Sequence, residues 1–259
     1  MLILPVNSSE AQILPFGYTS TDTGELQENI ASDLTYNGAT PDSKNDSSVL
    51  IDTSEGAPKP SEKRSVFALV FGGKSGTQDV SGTLENFDTS LVLPMTAQSG
   101  SAKQSVAPLM FVVPSTWVES SLLRMRLDWQ GNTPTLINIA YGNAYEFPCI
   151  ENTQLSPAQF NKDVVYNNNI SSKGHFLGRT AVRRGATVTL EPLSFIATTD
   201  RMNEILELFE KLETRACYVH YKVADKDFVH YGWTESEPNY RYTADEEYVQ
   251  VSFTLRCPA

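Results

Sequence analysis

The chain has 259 residues, 40% of them hydrophobic and 20% charged, with a formal net charge of −11. That length can bury one large or two small cores, at roughly 150 residues per domain, and the composition excludes a wholly disordered chain. The acidic balance excludes a dedicated nucleic-acid grip, which needs basic surface against phosphates, and no apolar stretch approaches the ~18 residues of a membrane-crossing helix.

Residues 1–62 hold ten acids against two lysines, a net of −8, while the remaining 18 basic and 21 acidic residues leave only −3. The opening Met1-Leu2-Ile3-Leu4-Pro5-Val6 has neither the basic start nor the apolar length of a signal peptide. The segment is rich in Ser, Thr, Asn, Gly and Pro and ends in Ala57-Pro58-Lys59-Pro60, which is linker chemistry. Two apolar clusters interrupt it, Ile13-Leu14-Pro15-Phe16 and Val49-Leu50-Ile51. The expectation is an extended acidic arm whose anchors Ile13, Leu14, Phe16, Val49, Leu50 and Ile51 dock on a neighbouring subunit. A disordered acidic tail is the alternative.

From residue 63 the hydrophobic period is two, and residues 63–150 are expected to form an antiparallel β domain. Arg64 to Phe71 reads as a buried strand ending at Gly72-Gly73, and Val80 to Leu93 holds a second strand region ending at Pro94. Val106 to Val113 contains Pro108, which suits an edge strand because proline donates no ladder hydrogen bond. Leu122–Trp129 and Leu136–Tyr141 read as a hairpin across Gln130-Gly131-Asn132-Thr133-Pro134, and Tyr145 to Ile150 closes the block. Ser115 to Ser121 is the one helical turn expected here. Residues 151–172, with Asn167-Asn168-Asn169, read as a polar connector.

A second β unit is expected over residues 173–259. Phe176–Val182 and Ala186–Leu190 are strand candidates around Arg183-Arg184-Gly185. An amphipathic helix follows at about 201–213, capped by Thr199 or Asp200, with Met202, Ile205, Leu206, Phe209 and Leu212 as its apolar stripe. Tyr218–Val223 and Phe228–Trp233 then form a hairpin with its tip near Asp225-Lys226. In the closing strand Val249, Val251, Phe253 and Leu255 alternate with Gln250, Ser252, Thr254 and Arg256, one face for core and one for water.

Chemistry-bearing constellations are sparse. Gly72-Gly73-Lys74-Ser75-Gly76-Thr77 lacks the glycine five residues upstream that a phosphate loop needs, and a strand rather than a helix follows it. The hairpin sets Tyr221 opposite His230 and His220 opposite Tyr231, so the two histidines face opposite ways and cannot share a metal. Cys149, Cys217 and Cys257 are too few and scattered for a disulfide or zinc framework, though Cys217 and Cys257 can lie close as inert buried thiols. No nucleophile elbow occurs, and Glu246-Glu247 and Glu235-x-Glu237 read as solvated loop acids. No catalytic residue, cofactor site or metal site is therefore assigned. Arg179, Arg183 and Arg184, with Lys173 nearby, form the one basic cluster; it reads either as a contact for phosphates or for an acidic partner, such as the acidic arm of another copy, or as ordinary solvent-facing alternation and a turn.

The order from Gly178-Arg179-Thr180-Ala181-Val182-Arg183-Arg184-Gly185 through the helix, the hairpin and the closing strand resembles the tail-tube-type β-sandwich with a flanking helix. That module occurs in tube, distal-tail and baseplate-hub proteins of tailed bacteriophages, and the likeness covers the last third of the chain. The resemblance implies a non-enzymatic structural protein of the virion tail or baseplate, assembled as a symmetric oligomer in the host cytoplasm. Its partners would be copies of itself and other virion proteins, with no membrane or small-molecule substrate, and its acidic wall would let DNA slide without sticking. Two alternatives remain open: a capsid-surface, neck or decoration protein, and a carbohydrate-binding β-sandwich that stacks sugars on Trp117, Trp129 and Trp233.

Overall fold

The apolar run Leu2-Ile3-Leu4 is short, yet all three side chains are buried, because it is an inner strand of the largest sheet. The computed structural model describes residues 1–6, 12–20, 39–43, 46–52, 65–72, 80–87, 90, 92–96, 106–112, 122–129, 133, 135–148, 160–170, 176–190, 193–223 and 226–258. In chain order the strands begin β1 (Leu2–Pro5), β2 (Gln12–Phe16), β3 (Tyr18–Ser20), β4 (Ala39–Pro41), β5 (Ser48–Asp52), β6 (Ser65–Gly72) and β7 (Val80–Asn86). They continue with β8 (Val92–Thr96), β9 (Val106–Val112), β10 (Leu122–Trp129), β11 (Thr135–Asn143), β12 (Tyr145–Glu146) and β13 (Phe160–Ile170). Then come β14 (Phe176–Leu190), β15 (Leu193–Thr198), helix α1 (Met202–Leu212), β16 (Cys217–Val223), β17 (Lys226–Thr234), β18 (Asn239–Tyr242), β19 (Tyr248–Phe253) and β20 (Leu255–Pro258). The fold is mainly antiparallel β, with a single α-helix among the described residues, as the hydrophobic periods lead one to expect.

A seven-stranded sheet runs β12-β1-β16-β17-β20-β14-β13. Its strands come from all four expected segments, which corrects the division into an arm (1–62), a β domain (63–150), a connector (151–172) and a β-sandwich (173–259). Residues 160–170 are a strand of this sheet, not a connector. The arm is also corrected in its described part, since β2 and β5 join β10, β7 and β8, while β3 and β4 join β11, β6 and β9.

Strand β1 is buried on both faces, as its alternate residues show. Ile3 enters a core with Phe147, Phe195, Phe209, Val251 and Phe253, while Leu2 and Leu4 enter another with Ile137, Ala140, Tyr218 and Tyr231. In the first core the Phe147 and Phe195 rings stack 4.2 Å apart, and Phe253 meets Phe209 edge-on at 5.5 Å. A central strand buried on both sides reads as a continuous apolar run, which is why so short a stretch suffices.

The helix contributes Ile205, Leu208, Phe209 and Leu212 to that core. Leu206, expected in the stripe, is 49% exposed, and Leu208 is buried instead. Leu208→Ala is expected to cost about 3 kcal/mol by lost burial and a cavity, against under ~0.5 kcal/mol for Leu206→Ala, in urea unfolding followed by circular dichroism. The cap also differs from expectation. A 3-10 turn, Thr199–Arg201, precedes the helix, and the Thr199 hydroxyl donates to the carbonyls of Glu246 and Glu247 instead of accepting from first-turn amides.

Three further pairings overturn local signals. β10 and β11 lie in different sheets, so the turn-like residues between them join no hairpin. Arg183-Arg184-Gly185 is no turn but the middle of the 15-residue β14. The closing strand is two, β19 and β20, because the chain changes sheets at Thr254 while Val249, Val251, Phe253, Leu255 and Cys257 all stay in one core. Pro94 sits inside β8, at a sheet edge where its missing donor is tolerated, and β9 with Pro108 is an edge strand as expected. The expected helical turn at Ser115–Ser121 and most of the Gly72–Thr77 motif lie outside the described residues.

Candidate functional site

Eight strands end sheets among the described residues, and six of them are closed to another chain. Pro15 in β2, Pro94 in β8 and Pro108 in β9 each remove a backbone donor. β3 has three residues, and the Ile196 amide of β15 already donates to the Pro148 carbonyl. β12 has two residues and is held down by the helix. Lys211 Nζ donates to the Tyr145 hydroxyl at 2.8 Å, that hydroxyl donates to Glu207 at 3.1 Å, and Arg201 donates to the Glu146 carbonyl at 2.9 Å. Arg201 also stacks 4.6 Å above the Phe147 ring. Burial raises the Tyr145 hydroxyl above its ordinary range, so at neutral pH it stays protonated and can donate to Glu207. β13 and β18 carry no proline and end their sheets with one side unpaired among the described residues.

β13 is the longer of the two, with 11 residues against the 15 of β14. The three register shifts between them place all the surplus on β14, leaving β13 as the regular outer edge. β14 touches β20 only at Thr187, Val188 and Thr189. Residues 164–170 and 176–184 therefore pair with each other alone among the described residues, a two-stranded ribbon that leaves the sheet. At ~3.3 Å per residue it runs for about 20 Å. A two-stranded ribbon is marginal in water without a third strand or a surface to lie on, and its edge groups are a template for a partner strand.

The ribbon also segregates charge. Residues 160–190 carry Lys162, Lys173, Arg179, Arg183 and Arg184 against Asp163 alone, a net of +4, so the other 228 residues carry −15. Arg179 pairs in register with Asn168, Arg183 with Val165 and Arg184 with Val164, which brings the whole predicted basic cluster onto this element. The apolar anchors are brought together elsewhere. Ile13 pairs with Ile51, Leu14 with Leu50 and Phe16 with Ser48, and β5 pairs on to β10. Ile13, Val49 and Ile51 are buried in their own chain, Leu14 and Leu50 are half-buried, and Phe16 is exposed. Burial removes Ile13, Val49 and Ile51 from the candidate subunit contacts.

The remaining chemistry-bearing residues sit in packing roles. The hairpin register is Val219 opposite His230 and His220 opposite Val229, two residues from the expected pairing. The histidines still fall on opposite faces. His230 is fully buried with Nε2 3.0 Å from the Tyr221 hydroxyl, and desolvation lowers its pKa to about 4. Cys217 and Cys257 are thiols not joined in a disulfide, on the two strands flanking β17, and burial pushes Cys217 up to about 12, leaving it protonated and inert. Trp129 is buried, which removes it as a sugar-stacking platform, and Trp117 lies outside the described residues. Asp245, Glu246 and Glu247 do form an exposed turn between β18 and β19, as expected of loop acids. Hydrogen bonds from the Thr243 hydroxyl and the Glu247 amide hold Asp245 below its ordinary pKa.

The ribbon escaped sequence reading because asparagine runs and Arg-Arg-Gly look like loop, while both strands derive their shape from pairing across residues 160–190. The imbalance of charge in that stretch was the signal that could have found it. No protein-family model matches the chain, and no curated protein matches its sequence.

Proposed function

We propose that this chain is a non-enzymatic structural component of a phage virion, in the tail or baseplate, and that it works as a symmetric oligomer joined through sheet edges. The observation that carries this reading is the β13–β14 ribbon, about 20 Å of two-stranded sheet whose outer edge is unpaired among the described residues and whose charge is opposite to that of the rest of the chain. An element that is marginal alone and costs ordering entropy gains its support from a neighbour. The order of ribbon, helix, hairpin and closing strand supports the likeness to tail-tube-type modules, in which copies join into rings. Assembly takes place in the host cytoplasm before release, and the acidic body keeps DNA contacts non-adhesive. Among the described residues no helix is long and apolar enough to cross a membrane.

The test is electron microscopy of the purified full chain beside a variant in which residues 165–183 are replaced by Asn-Gly. Wild type is expected to give closed rings or stacked rings, and the shortened variant single particles of monomer size with an unchanged melting temperature. Wild-type chain that stays monomeric at every concentration, alone and with virion tail proteins, overturns the reading.

A further inference from the structure

We propose that the ribbon of one copy adds to the β18 edge of the next, against the acidic turn that follows β18, as the repeating contact of the oligomer. This rests on the oligomeric reading above and names its acceptor.

Three independent observations converge on that edge. β18 is an edge strand without proline, pairing among the described residues only with β19, and its residues Asn239, Arg241 and Tyr242 are exposed. Its backbone groups therefore face a partner as those of β13 do, and strand addition gives each a mate. Next, residues 235–248 carry Glu235, Glu237, Asp245, Glu246 and Glu247 against Arg241, a net of −4 that matches the +4 of the ribbon. Glu235 is taken up by Arg256 at 2.6 Å, whereas no cation among the described residues meets Glu237, Asp245, Glu246 or Glu247. Finally, Tyr242 and Tyr248 are 51% and 41% exposed at adjacent strand ends, giving the acidic edge the aromatic area that interfaces favour.

The geometry is compatible at the scale of a sheet. With β13 laid on β18, the arginine-bearing β14 lies one strand spacing behind the contact, about 5 Å away. That is inside the ~8 Å screening length at physiological salt. The acidic turn is also rigid enough to act as a target. Thr243 N donates to the Tyr248 carbonyl at 2.9 Å, Tyr248 N donates to the Thr243 hydroxyl at 3.1 Å, and Thr199 N donates to the Glu247 carbonyl at 3.0 Å. Donor and acceptor are different surfaces of one chain, so the contact is head-to-tail and generates a ring, or a filament where the rotation does not close.

A charge swap tests this on the full chain by sedimentation velocity and mass photometry. Arg183→Glu with Arg184→Glu, and separately Glu246→Lys with Glu247→Lys, should each weaken self-association at least tenfold with melting temperature unchanged. Mixing the two variants should restore association as an alternating assembly, because the ribbon of each is then opposite in charge to the turn of the other, and combining all four changes in one chain should restore the oligomer of a single species. An oligomer unaffected by the acidic-turn changes but lost with the arginine changes overturns β18 as the acceptor while leaving the oligomeric reading intact. Monomeric wild type overturns that reading itself. Arginine changes that abolish binding to a 30-mer duplex DNA and leave self-association untouched assign the ribbon to nucleic acid and overturn this proposal.

Discussion

Gly232→Ala is expected to destabilise the fold by about 3 kcal/mol, near the top of the range for forcing atoms into a packed core. A Cβ at this position would lie 2.1 Å from the Arg256 carbonyl oxygen and 2.9 Å from its carbon, both backbone atoms of β20. It would also meet Cys257 Sγ at 3.1 Å, with Cys217 opposite in register on the other side. The missing side chain lets β17 and β20 approach, with Cys257 Sγ beside the gap. The two Arg256 atoms cannot turn away, because they are main chain. A loss of this size lowers the melting temperature by roughly 6–12 °C in a chain this long, readable by differential scanning calorimetry.

Acidification is expected to remove about 3 kcal/mol of stability between pH 6.5 and pH 4 through His230. The sign follows from proton binding. Burial lowers the folded-state pKa to about 4 from 6.5, so between those values the unfolded chain binds a proton that the folded chain refuses. Stability therefore falls as pH falls through that window and is flat in this respect above it. The groups around the ring reinforce the effect, since Val219 and Phe228 offer no charge and Tyr221 offers one hydroxyl 3.0 Å from Nε2. Urea unfolding of wild type and His230→Gln, repeated from pH 7.5 to pH 4, measures it. The gap between the two proteins should narrow by about 3 kcal/mol across the window, and a constant gap would refute the assignment.

How much of this was legible depended on whether pairing was local. The helix was legible because 3.6-residue periodicity is a property of the segment itself, and its one misplacement, Leu206 for Leu208, exchanged two positions near the border of the stripe. The alternation from Val249 to Cys257 was legible for the same reason, although it hid the change of sheet at Thr254, since one core is used on both sides of the corner. β1 was not legible. Three apolar residues carry no periodic signal, and their strand partners β12 and β16 are both more than a hundred residues away. Likewise the turn-like stretch between β10 and β11 suggests a hairpin, but β10 finds β5 and β7 while β11 finds β4 and β6. The basic cluster was visible as composition. Its placement on a free ribbon was not, because that follows from where β14 parts from β20.

The central claim, that the β13 edge is where copies of this chain meet, is most directly tested by amide hydrogen exchange of the full chain over a hundredfold range of concentration. Edge amides exchange freely until another strand accepts their hydrogen bonds. The expected result is protection over residues 160–170 and 239–242 that rises together with concentration and tracks the oligomer fraction. Fast exchange over residues 160–170 at every concentration, beside a fully formed oligomer, would contradict it.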